Sequence, residues 1–122
     1  MLHRLGLLGL CAAYLQGGLT KLLDYPGAVA EAVHFGLPLP GLTAAATIGL
    51  ELIASAMVLG GRGRRAGALA LMVFTLAATL IANRFWSLPP GPERFMAANG
   101  FFEHLGLAGG FLLVALHPRK DA

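Results

Sequence analysis

The chain has 122 residues, of which 57% are hydrophobic and only 12% charged, with a mean hydropathy of +0.71 and a formal charge of +3. Ordinary soluble domains carry about 25% charged residues, so a water-soluble domain is excluded: there is too little charge to cover one. The basic residues stand in short clusters between apolar stretches, which excludes a nucleic-acid partner and fits loops beside a bilayer, and the single cysteine, Cys11, excludes an internal disulfide, a CxxC redox pair or an iron–sulfur centre held by this chain alone.

A helix needs about 20 apolar residues to cross a bilayer. The first such run covers 5–23 and ends at Asp24-Tyr25-Pro26-Gly27. His3 and Arg4 precede it as in a signal peptide. The run is long, however, and meets no small-x-small cleavage site before Lys21, so it is read as a retained span. Gly9, Ala13 and Gly17 are four apart, a spacing that lets helices approach closely. Gln16, Thr20 and Lys21 occupy its second half. Lys21 either snorkels to the interface or neutralises an acidic residue inside the bundle. Glu103 matches it best by depth, because Glu51 lies several turns down its own helix.

Residues 27–36 are too short to span. Their mixture of apolar residues with Glu31 and His34 predicts a short interfacial helix, with a plain loop as the alternative. The second span, 42–59, follows Pro38-Leu39-Pro40-Gly41. Its residues Thr43, Thr47, Glu51 and Ser55 are four apart and form one polar stripe. A carboxylate at the bilayer centre costs about 2.5–3.5 kcal/mol, so the stripe is expected to face the bundle interior. Glu51 is then either a ligand or proton site or a structural hydrogen-bonding group.

Gly60 to Arg65 make a tight basic turn into the third span, 66–86. Thr75 and Thr79 read as contacts between helices. Asn83 is a stronger polar candidate near the far end. A segment with three prolines, 88–94, leads to the fourth span, 99–116, where Asn99 is placed as a helix cap and Glu103 in the first turns. His104 is the only histidine within a span. It reads as a packed polar residue rather than a metal or haem ligand, since further ligands are missing. Gly106 and Gly110 repeat the small-residue spacing.

Continuously apolar segments form helices rather than the alternating strands of a barrel. The expected fold is therefore all-α: an integral membrane four-helix bundle, one domain over 1–122, with a short interfacial helix between the first two spans. Arg4, Arg62, Arg64, Arg65, Arg119 and Lys120 fall on one side and Lys21, Arg84 and Arg94 on the other. The richer side is expected to be cytoplasmic, with both termini. Gln16, Lys21, Glu51, Asn83, Glu103 and His104, drawn from all four spans, are expected to line a polar ligand or proton pocket in the outer half.

In order along the chain stand Gly17-Gly18-Leu19-Thr20-Lys21-Leu22, then Phe35-Gly36-Leu37-Pro38, then Glu51 ahead of Leu59-Gly60 and basic residues. Asn99-Gly100-Phe101-Phe102-Glu103-His104-Leu105 with Ala108-Gly109-Gly110 follow. In this order and spacing the sequence resembles the DoxX family of small four-helix membrane proteins. The resemblance covers nearly the whole chain, and the matching polar positions are Lys21, Glu51, Asn99 and His104. It implies a protein of the cell (inner) membrane: a subunit of a quinone-linked or oxidative-stress redox complex, not catalytic alone. Such a subunit would have no intrinsic cofactor, with a quinone as ligand and a redox protein or a second copy as partner. It equally admits a non-catalytic anchor or assembly factor. A small-molecule transporter is a third reading that would need an oligomer.

Overall fold

A computed structural model describes residues 1–117; Arg119 and Lys120, assigned above to the basic side, lie outside the described residues. Helix α1 runs Leu2–Leu23 and α2 runs Tyr25–His34. Asp24 joins them. Its side chain accepts the Gly27 N–H at 3.2 Å while Pro26 occupies the first turn of α2, so one residue ends one helix and caps the next. The stretch around 27–36 is thus a helix, not a loop. Gly36 (φ 68°) and Leu39 (φ 46°) turn the chain through the left-handed region before α3, Pro40–Gly60. Gly61 (φ 86°) and Gly63 (φ 66°) make the tight turn into α4, Arg64–Ala82. A 3₁₀ turn, Phe85–Ser87, and α5, Pro92–Leu116, complete the fold.

All regular structure among the described residues is helical, and four helical segments are long and apolar enough to cross a membrane: Leu2–Leu23, Pro40–Gly60, Arg64–Ser87 and Pro92–Leu116. The start of α5 corrects the reading of Asn99. The helix begins at Pro92, where the missing N–H of proline costs nothing, so Asn99 lies inside it, exposed, and does not cap it. Glu93 takes the first-turn position assigned to Glu103.

Around the bundle α1 packs on α3, α3 on α4 and α4 on α5, while α1 and α5 touch only sparingly; α2 lies mainly against α3. The core sits towards the α3–α4 turn and draws on every long helix: Leu7, Cys11 and Tyr14 from α1, Ala54 and Val58 from α3, Ala68 and Leu71 from α4, Phe111 and Ala115 from α5. The Tyr14 ring meets Phe111 edge-on at 5.3 Å and Phe74 at 6.4 Å. Its hydroxyl is hydrogen-bonded to the Thr75 hydroxyl, so Thr75 does join two helices. At the turn, Arg64 Nε donates to the Val58 carbonyl at 2.7 Å and Arg65 Nε to the Ala115 carbonyl at 2.9 Å, satisfying two backbone acceptors near helix ends. The outward faces are leucine-rich, with Leu23, Leu42, Val73 and Leu113 all more than half exposed, as faces turned to acyl chains are.

Candidate functional site

The polar stripe of α3 does turn inward: Thr43 and Thr47 are half-buried, Glu51 and Ser55 buried. Lys21, in the last turn of α1, reaches Glu51. Its Nζ lies 2.7 Å from Glu51 Oε1, with side-chain exposures of 20% and 6%. This corrects the expectation that Glu103 is the better partner. A lysine stem bridges about a helical turn of depth, and helix packing decides the rest: α1 lies against α3, and Glu103 is exposed on α5.

Two glycines let α1 approach the pair. A Cβ at Gly17 would stand 3.0 Å from Glu51 Oε2, and one at Gly18 would stand 2.7 Å from Leu52 Cδ2. The notch beside Glu51 is therefore made of missing side chains. Each charge of the pair offsets the desolvation of the other, and the two leave the helix–helix contact neutral.

Helix α2 roofs Lys21, its own buried Ala28 and Ala32 facing the cavity that Lys21 lines. Under the roof lies a cavity of about 40 Å³ whose walls include Lys21, Glu31, Thr43 and Thr47. Beside it, Thr20, Lys21, Asp24, Gly27, Ala28 and Glu31 bound a second cavity of about 200 Å³. On the other side of the same threonines an open groove of about 360 Å³ runs along Leu39, Leu42, Ala46 and Leu50. Thr43 and Thr47 line both the small cavity and the groove. Their hydroxyls donate to the Pro38 and Thr43 carbonyls, leaving oxygen lone pairs for anything in either space.

The six residues expected in one pocket are divided among separate places. Lys21 and Glu51 form the pair. Gln16 is exposed on the opposite side of α1 and donates to Thr20 Oγ1 at 3.2 Å. Asn83 donates to Thr79 Oγ1 at 3.1 Å and lies over Gly100, where a Cβ would come within 2.9 Å of Asn83 Oδ1. His104 Nδ1 is 2.7 Å from the Gly100 carbonyl one turn back. A carbonyl only accepts, so Nδ1 is the donor in this bond. Glu103 points outward beside it. Asn83 and His104 thus share Gly100 at the α4–α5 contact, away from the Lys21 cavities. Among the described residues no three His, Cys, Asp or Glu side chains gather as metal ligands would.

Sequence reasoning expects the short helix α2 but not its place over Lys21, and it passes over the Gly17-Gly18 notch and the capping role of Asp24. The adjacent glycines four and three residues before Lys21 are the visible signal. Glu31 was visible too, as a charge in a segment too short to span.

Four membrane-spanning helices, with a buried glutamate paired to a half-buried lysine under a short fifth helix, define a small multi-pass membrane protein. The DoxX family pattern matches residues 4–84, and the chain belongs to that family. The match takes in Lys21, Glu51 and Asn83, whereas Glu103 and His104 lie beyond it. The chain is also similar to the inner membrane protein YphA of Escherichia coli (strain K12), with 26% identity over 102 residues, 81% of this chain and 70% of that protein. No solved structure matches.

Proposed function

We propose that this DoxX-family protein is the membrane subunit of a redox system and holds a quinone-like amphipathic molecule beside the Lys21–Glu51 pair. The observation that carries this reading is the shared wall. Thr43 and Thr47 border both an apolar groove, wide enough at about 360 Å³ for an acyl or isoprenoid chain, and a water-sized cavity whose mixed lining includes Lys21 and Glu31. A polar head at the two threonines therefore sits at the mouth of that cavity and not inside it. A molecule with a polar head and an apolar tail needs those two environments side by side. The chain supplies a proton-bearing pair at the head and leaves electron transfer to a partner protein, so it is not catalytic alone. The protein resides in the inner membrane, as its relative's name states of that protein. Both termini are cytoplasmic, on the side of the Arg62, Arg64 and Arg65 turn.

Native mass spectrometry of the gently extracted protein tests this. The wild type is expected to retain a quinone mass, and Glu51→Gln to lose it while remaining folded. Phospholipid alone on the wild type, from membranes where other quinone sites keep their ligand, overturns the reading.

A second reading, a non-catalytic anchor or assembly factor, is favoured by the closure of the pair. Glu51 is already satisfied by Lys21, and the cavity beneath α2 has room for little more than water. Under that reading Glu51→Gln lowers stability or partner recovery and changes no bound mass.

A further inference from the structure

Independently of any ligand, we infer that the protein forms a parallel, two-fold dimer in the membrane through the face of α1 centred on Gln16. Gln16 lies seven residues before the end of α1, about 10 Å below its last residue at 1.5 Å per residue, and it is exposed. Its carboxamide has two donor protons and a carbonyl acceptor. One proton reaches Thr20 Oγ1 at 3.2 Å; the other proton and the carbonyl oxygen find no partner among the described residues. A lysine stem spans only about one helical turn of depth, so the shorter glutamine does not reach the interface from there. Lipid tails offer nothing to bond, so this amide calls for polar company from another chain.

The chemistry of the group selects the partner. A carboxamide is donor and acceptor at once, so the same residue from a second copy completes it across a two-fold axis, with no other matched surface needed. The neighbouring positions allow the approach. Gly9, Ala13 and Thr20 share the face at helical spacing, and a Cβ at Gly9 would meet nothing within 4 Å. Among the described residues the smallness of Gly9 is therefore unused, unlike that of Gly17 and Gly18, which is taken up by α3. The only cysteine, Cys11, is fully buried on the opposite side of α1 and stays out of any contact there.

The test is oxidative cross-linking of single added cysteines in protein reconstituted at low density in lipid vesicles. Ala13→Cys and Thr20→Cys lie on the proposed face; Leu8→Cys and Leu22→Cys are also exposed but point away from it. Disulfide-linked dimer is expected at positions 13 and 20 at least fivefold above positions 8 and 22. Adding Gln16→Leu to Ala13→Cys should reduce that yield to the level of the controls, whereas Gln16→Asn should keep part of it. Equal yields at all four positions, no dimer at any, or a yield insensitive to Gln16→Leu overturns the inference, whether lipid or an unrelated protein covers the face instead. Because Gln16 is exposed, its variants fold as the wild type does, and the circular dichroism melt of each verifies this.

Discussion

Gly17 on α1 and Glu51 on α3 fit together as a side chain fits a space left for it: a Cβ at position 17 would stand 3.0 Å from Glu51 Oε2 and 3.7 Å from Lys21 Nζ. The glycine is thus the third member of the ion pair. Gly17→Ala asks the carboxylate to move a few tenths of an ångström, which a flexible side chain can do. Gly17→Leu fills the place where the pair sits. We expect the alanine variant to melt within a few degrees of the wild type in mild detergent. The leucine variant should lose about 2–4 kcal/mol, the scale of overpacking plus a disrupted buried pair. Equal melting of the two would show that Glu51 has another resting place.

The pair itself is a weak source of net stability but a strong constraint. Glu51→Leu strands a lysine ammonium within the bundle, and Lys21→Met strands a carboxylate; each is expected to cost about 3–5 kcal/mol. The double variant strands neither, and most of that loss should be recovered. A thermodynamic cycle on the four proteins measures the coupling. Additive losses would mean that the two charges are solvated separately and that the 2.7 Å contact does not persist in the membrane.

The spans were legible in the sequence because lipid demands an unbroken apolar run, and the inward face of Glu51 was legible because Thr43, Thr47 and Ser55 share its helical phase. The partner of Glu51 was not. Depth along one helix says nothing of which helices are neighbours, and the α1–α3 contact is decided by glycines whose effect is a packing result. Gln16 and Lys21 share a half of α1 but not a face: Lys21 reaches Glu51, and Gln16 is exposed. Five residues apart, they stand about 140° apart on a helix at 100° per residue, so α1 cannot turn both inward. The start of α5 was placed late because three prolines look like a loop, although a proline is at home in a first helical turn, as Pro92 is.

The α3–α4 contact offers a test of where close approach matters. At Gly67 a Cβ would meet the Ala54 carbonyl oxygen at 2.8 Å, and that oxygen belongs to a helix backbone that cannot step aside. Gly67→Ala is expected to destabilise the protein by about 1–3 kcal/mol. Gly106→Ala on α5, where a Cβ meets nothing, should be neutral or slightly stabilising through helix propensity. Thermal unfolding of both in the same detergent decides it, and a harmless Gly67→Ala would mean that α3 and α4 sit farther apart than the structure places them.

Filling the groove separates ligand binding from folding. Ala46 is exposed on the wall of the apolar groove and takes no part in the Lys21–Glu51 contact. Ala46→Phe occupies the space of an apolar tail while leaving the pair intact. Leu69→Phe places the same phenyl ring on a lipid-facing part of α4, outside the groove. If a quinone-like molecule lies with its tail in the groove, Ala46→Phe should lower its retained fraction about tenfold, a change of about 1.4 kcal/mol, at an unaltered melting temperature, and Leu69→Phe should retain it fully. Loss in both variants would point to a general effect of the membrane surface. Retention in both would place the molecule elsewhere, with the cavity of Asp24, Gly27 and Glu31 outside the small Lys21 chamber as the next position to block.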